Sequence, residues 1–180
     1  MEKAQIIIVS GAPGAGKSTI ARILAKASPF ERAVHIHTDD FYHYICKGYI
    51  EPWKPESNDQ NIAVSSAMVN CALGFCNGGF EAIIDGIIGP WFLKPWIDAA
   101  KDGASVHYVV IRPDLGTSIF RATTRTRKDD LTDVEVVKQM WSQFADLGLY
   151  EKNVIDTSGQ AIEQSAVAIR DLISSGCLLI

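Results

Sequence analysis

Eight consecutive residues, Gly11-Ala12-Pro13-Gly14-Ala15-Gly16-Lys17-Ser18, carry the most specific chemistry in the chain. Glycine permits backbone conformations closed to other residues, so successive N–H groups can converge on an anion. Lysine adds a point charge suited to phosphate, and the serine hydroxyl can ligate magnesium. The octet matches G-x-x-x-x-G-K-[ST], the phosphate-binding loop of nucleotide-binding proteins. It follows the apolar run Ile6–Val9 and opens a helix-compatible stretch from Lys17 to Ala27, the strand-loop-helix setting that the motif requires. The positive end of that helix reinforces anion binding. Gly11, Ala12, Pro13, Gly14, Ala15, Gly16, Lys17, Ser18 and Thr19 are therefore expected to hold the phosphates of ATP. Lys17 is expected to bridge the β- and γ-phosphates, with Ser18 in the Mg2+ shell.

Carboxylates follow two other apolar runs. Asp39 and Asp40 come after Val34–His37, and Asp85 ends Ala82-Ile83-Ile84. Ligands of open α/β sheets bind outside the carboxyl ends of the strands, so these acids are expected near the γ-phosphate. A carboxylate there can take the proton of an attacking hydroxyl or hold the magnesium shell. Asp39 and Asp40 equally suit the N-terminus of a helix over Phe41-Tyr42. Asp85-Gly86 equally suits a turn, so each assignment stays open beside its plainer alternative. Arg121 and Arg125 share one helix face at i, i+4 spacing, with Arg127 close behind. These arginines form either a phosphate-contacting group or a solvated basic face. His35, His37, His43 and His107 show no metal-ligand spacing and receive no role; His35 and His37 fall on one face of a strand.

The elements that must position these residues alternate between strand and helix, which predicts a parallel sheet with crossover helices. Strands are expected at Ile6–Val9, Val34–His37 running into Thr38-Asp39-Asp40, Glu81–Ile84, Ser105–Ile111 and Asn153–Asp156. Helices are expected over Lys17–Ala27, Asp59–Phe75, Phe92–Lys101 with Pro95 limiting it, Leu115–Thr126, Asp133–Leu147 and Ser158–Ser174. With no repeat and no linker, residues 1–180 read as one α/β domain.

Composition sets outer bounds. The 180 residues are 47% hydrophobic and 21% charged, near the globular average, so disorder is not the default. The formal net charge is −4 and no Lys/Arg block stands out, which argues against a protein built to grip a nucleic-acid backbone. Cys46, Cys71, Cys76 and Cys177 form no Cys-x-x-Cys pair and no zinc spacing, which suits a reducing cytosol. No run approaches the ~20 apolar residues of a membrane span, and a cytoplasmic protein is expected. Nothing in the sequence specifies an oligomeric state.

With these residues in view, the chain resembles the small-molecule kinases of the P-loop class, and is similar to chloramphenicol phosphotransferase and to the gluconate and shikimate kinases. The resemblance rests on Gly11–Ser18, Thr38-Asp39, Ile83-Ile84-Asp85, Arg121-Ala122-Thr123-Thr124-Arg125 and Gln143-Phe144. It implies a three-layer α/β/α P-loop fold with a five-stranded parallel sheet of the nucleoside-monophosphate-kinase type. It implies Asp39 as the base that deprotonates an acceptor hydroxyl, Asp85 in the metal shell, and a lid whose arginines, Arg121 and Arg125 among them, reach the transferring phosphoryl group. The segments holding Phe41, Tyr42, Tyr49, Trp53, Trp91 and Phe92 depart from any one family and suit either an aromatic acceptor pocket or plain packing. The expected partner is a small-molecule hydroxyl compound. A P-loop ATPase, a nucleotide-binding regulator and a polynucleotide 5′-hydroxyl kinase are the competing readings. A GTPase is disfavoured by the lack of an Asn-Lys-x-Asp guanine reader.

Overall fold

The computed structural model describes residues 4–124 and 131–180. Strands β1 (Gln5–Ser10), β2 (Ala33–His37), β3 (Glu81–Gly86), β4 (Ser105–Ile111) and β5 (Val154–Ile155) form one parallel sheet in the order β2-β3-β1-β4-β5. The helices are α1 (Lys17–Lys26), α2 (Thr38–His43), α3 (Asn58–Asn77), α4 (Lys94–Lys101), α5 (Leu115–Thr123), α6 (Val134–Gln143) and α7 (Ile162–Ser174). The expected three-layer α/β/α arrangement is what forms.

β1 is central because all four of its residues Ile6 to Val9 are apolar and none is left a polar face to show. Ile6 and Ile8 pack with Val64, Met68, Val69 and Ala72 of α3 and with Trp96 and Ala99 of α4. Ile7 and Val9 pack on the other face with Ile20, Ala21 and Leu24 of α1 and Ala166, Ile169 and Ile173 of α7. Each of the buried Ile, Leu, Val and Met side chains among these contributes about 1.5–3 kcal/mol. At the amino edge, buried Glu81 accepts two bonds from Arg170 of α7, at 2.6 and 3.1 Å, and one from Gln5 at 2.8 Å. Arg170 also donates to the Leu24 carbonyl, so α1 and α7 are fixed to β3 and β1 together.

Several boundaries differ from the sequence reading. β2 stops at His37 as expected, but Asp39 and Asp40 take the helical alternative and lie in the first turn of α2, where acidic side chains suit the positive end of a helix. α4 starts at Lys94 with Pro95 in its first turn, where a missing N–H costs nothing. α6 ends at Gln143, and a 3-10 segment, Gly148–Asn153, follows. α7 starts at Ile162, because Ser158 instead donates to Asp156 and accepts from the Asp114 N–H. One pairing was not expected. Leu178–Ile180 runs antiparallel beside β4, with Tyr108 N–H donating to Leu178 O at 2.9 Å and Ile180 N–H to Val106 O at 3.1 Å.

The site lies where β1, β2 and β3 end. Register places Val9, Asp85 and His37 in one row across the three strands. Gly86 has no room for a Cβ because the Thr38 side chain fills that space, so α2 starts hard against the end of β3. Ser10 and Tyr108 both donate to the Ile88 carbonyl, at 2.7 and 2.8 Å, which fixes the turn after Asp85.

Candidate active site

The phosphate loop is compressed against its surroundings. Gly11 and Gly14 adopt φ of 144° and 79°, and a Cβ on either would overlap a backbone carbonyl, that of Ile111 at the end of β4 or of Ser118 in α5. Only glycine lets the chain pass here. Gly16 is the N-cap of α1. Lys17 is buried, and its ammonium donates to the Ala12 carbonyl at 2.9 Å, curling over the loop that it would serve. Thr19, also expected to hold phosphate, is exposed one residue further into the helix. A Cβ placed on Gly16 would sit 3.9 Å from a guanidinium nitrogen of Arg121 and 3.7 Å from Ile162. Arg121 on α5 thus lies over the loop. Arg125 and Arg127 lie outside the described residues.

Opposite the loop stands a cluster assembled from four elements. Ser18 Oγ donates to Asp85 Oδ2 at 2.5 Å, joining α1 to β3. His35 Nε2 meets Asp85 Oδ1 at 2.5 Å, and His37 Nδ1 meets Asp85 Oδ2 at 3.1 Å. The other nitrogen of His37 lies 3.3 Å from Asp39 Oδ2. The sequence reading assigned no role to His35 and His37, yet they supply two of the three bonds to the buried carboxylate. The available signal was the His35-x-His37 spacing, which puts both imidazoles on one strand face. Finding them also required knowing that β2 is the neighbour of β3.

Electrostatics follow from these contacts. The hydrogen bonds to Asp39 and Asp85 push the His37 pKa up to about 10, against the opposing effect of burial. The bond from His37 holds the Asp39 carboxyl below its usual range, against burial, and the Lys17 charge acts in the same direction. Burial pushes Asp85 up, but the bonds from His35, His37 and Ser18 outweigh it and hold this carboxyl well below the usual range. Asp39 and Asp85 are accordingly ionised acceptors, and His37 is their cation. Asp40 has no comparable contact described and is exposed.

The arrangement fits MgATP. Gly11 and Gly14, where a Cβ would overlap a neighbouring carbonyl, shape a backbone cradle, and Lys17 and Ser18 follow at its end. No group of three or more His, Cys, Asp or Glu among the described residues is arranged to hold a metal alone. Magnesium characteristically takes one or two protein ligands and fills its octahedron with waters and phosphate oxygens, so the Ser18 hydroxyl backed by Asp85 suits it.

Beyond α2, the segment from Tyr44 to Ser57 is pinned to α3. Ile50 and Gln60 exchange two amide bonds at 2.8 and 2.7 Å, and Asn61 donates to Pro52 O at 2.8 Å while accepting from the Tyr42 hydroxyl at 3.1 Å. Burial and the nearby Asp39 charge push the Tyr42 hydroxyl up to about 12, so it remains a donor. The expected aromatic wall divides. Phe41, Tyr42 and Phe92 pack on the core, whereas Trp53 and Trp91 are half exposed, Trp91 resting edge-on against Phe144. Phe144 itself is buried core, and Gln143 beside it is exposed.

A family model for the AAA domain matches residues 7–141, three quarters of the chain, and the chain belongs to that family. The match spans the phosphate loop, Asp39 and Asp85. No curated protein matches the sequence. Among solved structures, an unliganded sugar kinase from Janibacter sp. HTCC2649 superposes with a TM-score of 0.72 at 16% identity, covering 95% of each chain. The tunicamycin resistance protein of Deinococcus radiodurans gives 0.67 at 19% identity over 98% of each chain. A chain of the Pnkp1/Rnl/Hen1 RNA repair complex gives 0.61 at 18% identity, covering 79% of this chain and 44% of its own. At these identities the likeness is one of fold: a three-layer α/β/α domain with a five-stranded parallel sheet. No described helix is long and apolar enough to cross a membrane.

Proposed function

We propose that the protein is an ATP-dependent phosphotransferase that moves the γ-phosphoryl group of MgATP to the hydroxyl of a small molecule, with Asp39 as general base. One observation carries this reading: an ionised carboxylate, Asp39, stands within the electrostatic reach of Lys17 while its side chain remains largely open to solvent. A nucleotide-binding regulator needs the loop but has no use for such a group.

The loop amides and Lys17 bind and orient the phosphates. Ser18, its proton held by Asp85, presents an oxygen to magnesium, which when bound neutralises charge on the transferring group. Asp39 accepts the acceptor's proton as the hydroxyl oxygen bonds to the γ-phosphorus and the bond to the ADP oxygen breaks. Arg121 adds positive charge over the loop. Arg125 is proposed for the same role from the following segment.

The acceptor proposed is a neutral or weakly charged, partly apolar hydroxyl compound. Half-exposed Trp53 and Trp91 and the donor Tyr42 support this reading, and a net charge of −4 supplies no long basic track. Four free cysteines agree with a reducing compartment. The test is an ATP-consumption screen over hydroxylated antibiotics, sugars, sugar acids and 5′-hydroxyl oligonucleotides. The resemblance to chloramphenicol phosphotransferase and to the gluconate kinases sets the first compounds to try. Transfer to a small molecule supports the proposal, and transfer to oligonucleotides alone replaces it with the polynucleotide reading.

A further inference from the structure

The carboxylate that faces the acceptor and the carboxylate that backs the metal site belong to different elements, α2 and β3. A phosphotransferase needs their separation fixed, because a displacement on the order of 1 Å in such a site costs ~10²-fold. One side chain touches both. His37, the last residue of β2, faces Asp85 Oδ2 at 3.1 Å through Nδ1 and Asp39 Oδ2 at 3.3 Å through Nε2. It sits in register with Asp85 on the adjacent strand and immediately precedes α2, so the imidazole is anchored by the sheet rather than by the mobile end of a loop. His35 is different: among the described residues its ring reaches Asp85 and not Asp39.

We propose that His37 is a positioning residue that sets the distance between the base Asp39 and the metal-side carboxylate Asp85, each nitrogen doing one of the two jobs. Nδ1 helps to orient Asp85 toward Ser18, and thereby governs how strongly nucleotide binding depends on magnesium. Nε2 keeps Asp39 aimed at the phosphate loop, and thereby governs turnover at saturating MgATP. This inference rests on the phosphotransferase reading above.

The two jobs separate with two substitutions, because an asparagine amide can take the place of Nδ1 and a glutamine amide that of Nε2. Calorimetric titration with MgATP, and with ATP in EDTA, measures the metal preference of the wild type, His37→Asn and His37→Gln. Slow MgATP hydrolysis, with water standing in for the acceptor, measures turnover. His37→Gln should lose about tenfold in metal preference and change hydrolysis less. His37→Asn should keep its metal preference within about twofold and lose about tenfold in hydrolysis. That crossed pattern supports the bridge, and equal changes in both variants overturn it, since a merely structural imidazole has no reason to split the two readouts. Where a His37 variant does not fold, Asp39→Ala tests the same division: it removes the Nε2 partner together with the base, leaves the Nδ1 contact to Asp85, and should leave metal preference within about twofold, whereas a tenfold loss overturns the proposal. A wild type that binds ATP no better with magnesium than without it overturns the underlying reading instead, before any variant is compared.

Discussion

The phosphate loop and the carboxylate cluster face each other at one edge of the sheet, and they are held in place in opposite ways. The loop is eight contiguous residues whose shape comes from backbone: left-handed glycines, carbonyls of Ile111 and Ser118 pressing from outside, and a helix beginning at once. The cluster has almost no local logic. Ser18, His35, His37, Asp39 and Asp85 come from α1, β2, α2 and β3, and they meet because β2 and β3 pair in one register. Slipping β2 by one residue would turn both histidines to the other face of the sheet. A backbone site of this kind is vulnerable at its glycines, while a register site is vulnerable wherever the sheet can shift.

Substitutions can sharpen or break this contrast. The largest effect is expected at the loop. Lys17→Ala should weaken MgATP binding and reduce turnover by ~10³-fold, the scale of losing a charge donor at a developing anion. Calorimetry showing an unchanged MgATP affinity would remove the loop from the site. Next is Asp39→Asn, expected to keep MgATP affinity within a few-fold while turnover falls by at least ~10²-fold. Asp40→Asn should do little, and an exchange of the two phenotypes would move the base to Asp40.

Arg121→Ala should cost roughly tenfold in turnover and less in nucleotide affinity, as for one charge-assisted hydrogen bond of about 1.5 kcal/mol. Steady-state kinetics beside calorimetry measures the two effects, and equal losses in both would make Arg121 a simple binding residue.

The smallest effect concerns pH and the cluster alone. The folded pKa of His37 is raised from 6.5 to about 10, so its contribution to stability is complete below pH 6.5 and is lost as pH rises toward 10. Cys76, raised from 9.0 to about 11 by burial, begins to contribute to that decline only near pH 9. Between pH 6.5 and 8.5 the urea midpoint of the nucleotide-free protein should therefore fall, and His37→Ala should flatten that fall. A wild-type midpoint constant over this window would show that His37 does not carry the charge.

The same contrast explains what could be read from sequence. Gly11–Ser18 was legible because the motif, the strand before it and the helix after it are contiguous. The five strands were legible from apolar runs such as Ile6–Val9 and Ser105–Ile111, and β5 survives as two residues of the four expected. Asp39 and Asp85 could be proposed because strand ends are where such sheets bind ligands. His35 and His37 could not, because their partner lies 48 to 50 residues away and strand order is not written in any one segment. The start of α2 stayed open because Thr38-Asp39-Asp40 fits a strand end and a helix start alike, and the fold takes the helix start.

The antiparallel return of Leu178–Ile180 has a consequence for the protein in crowded solution. β5 covers β4 at Val110 and Ile111 alone, so the first half of β4 would otherwise present a row of unpaired amides on a flat, strongly apolar edge. Such an edge is a template for strand addition by another chain, the first step of aggregation. By occupying Val106 and Tyr108, three residues close the edge in the protein's own fold and deny it to a stranger's.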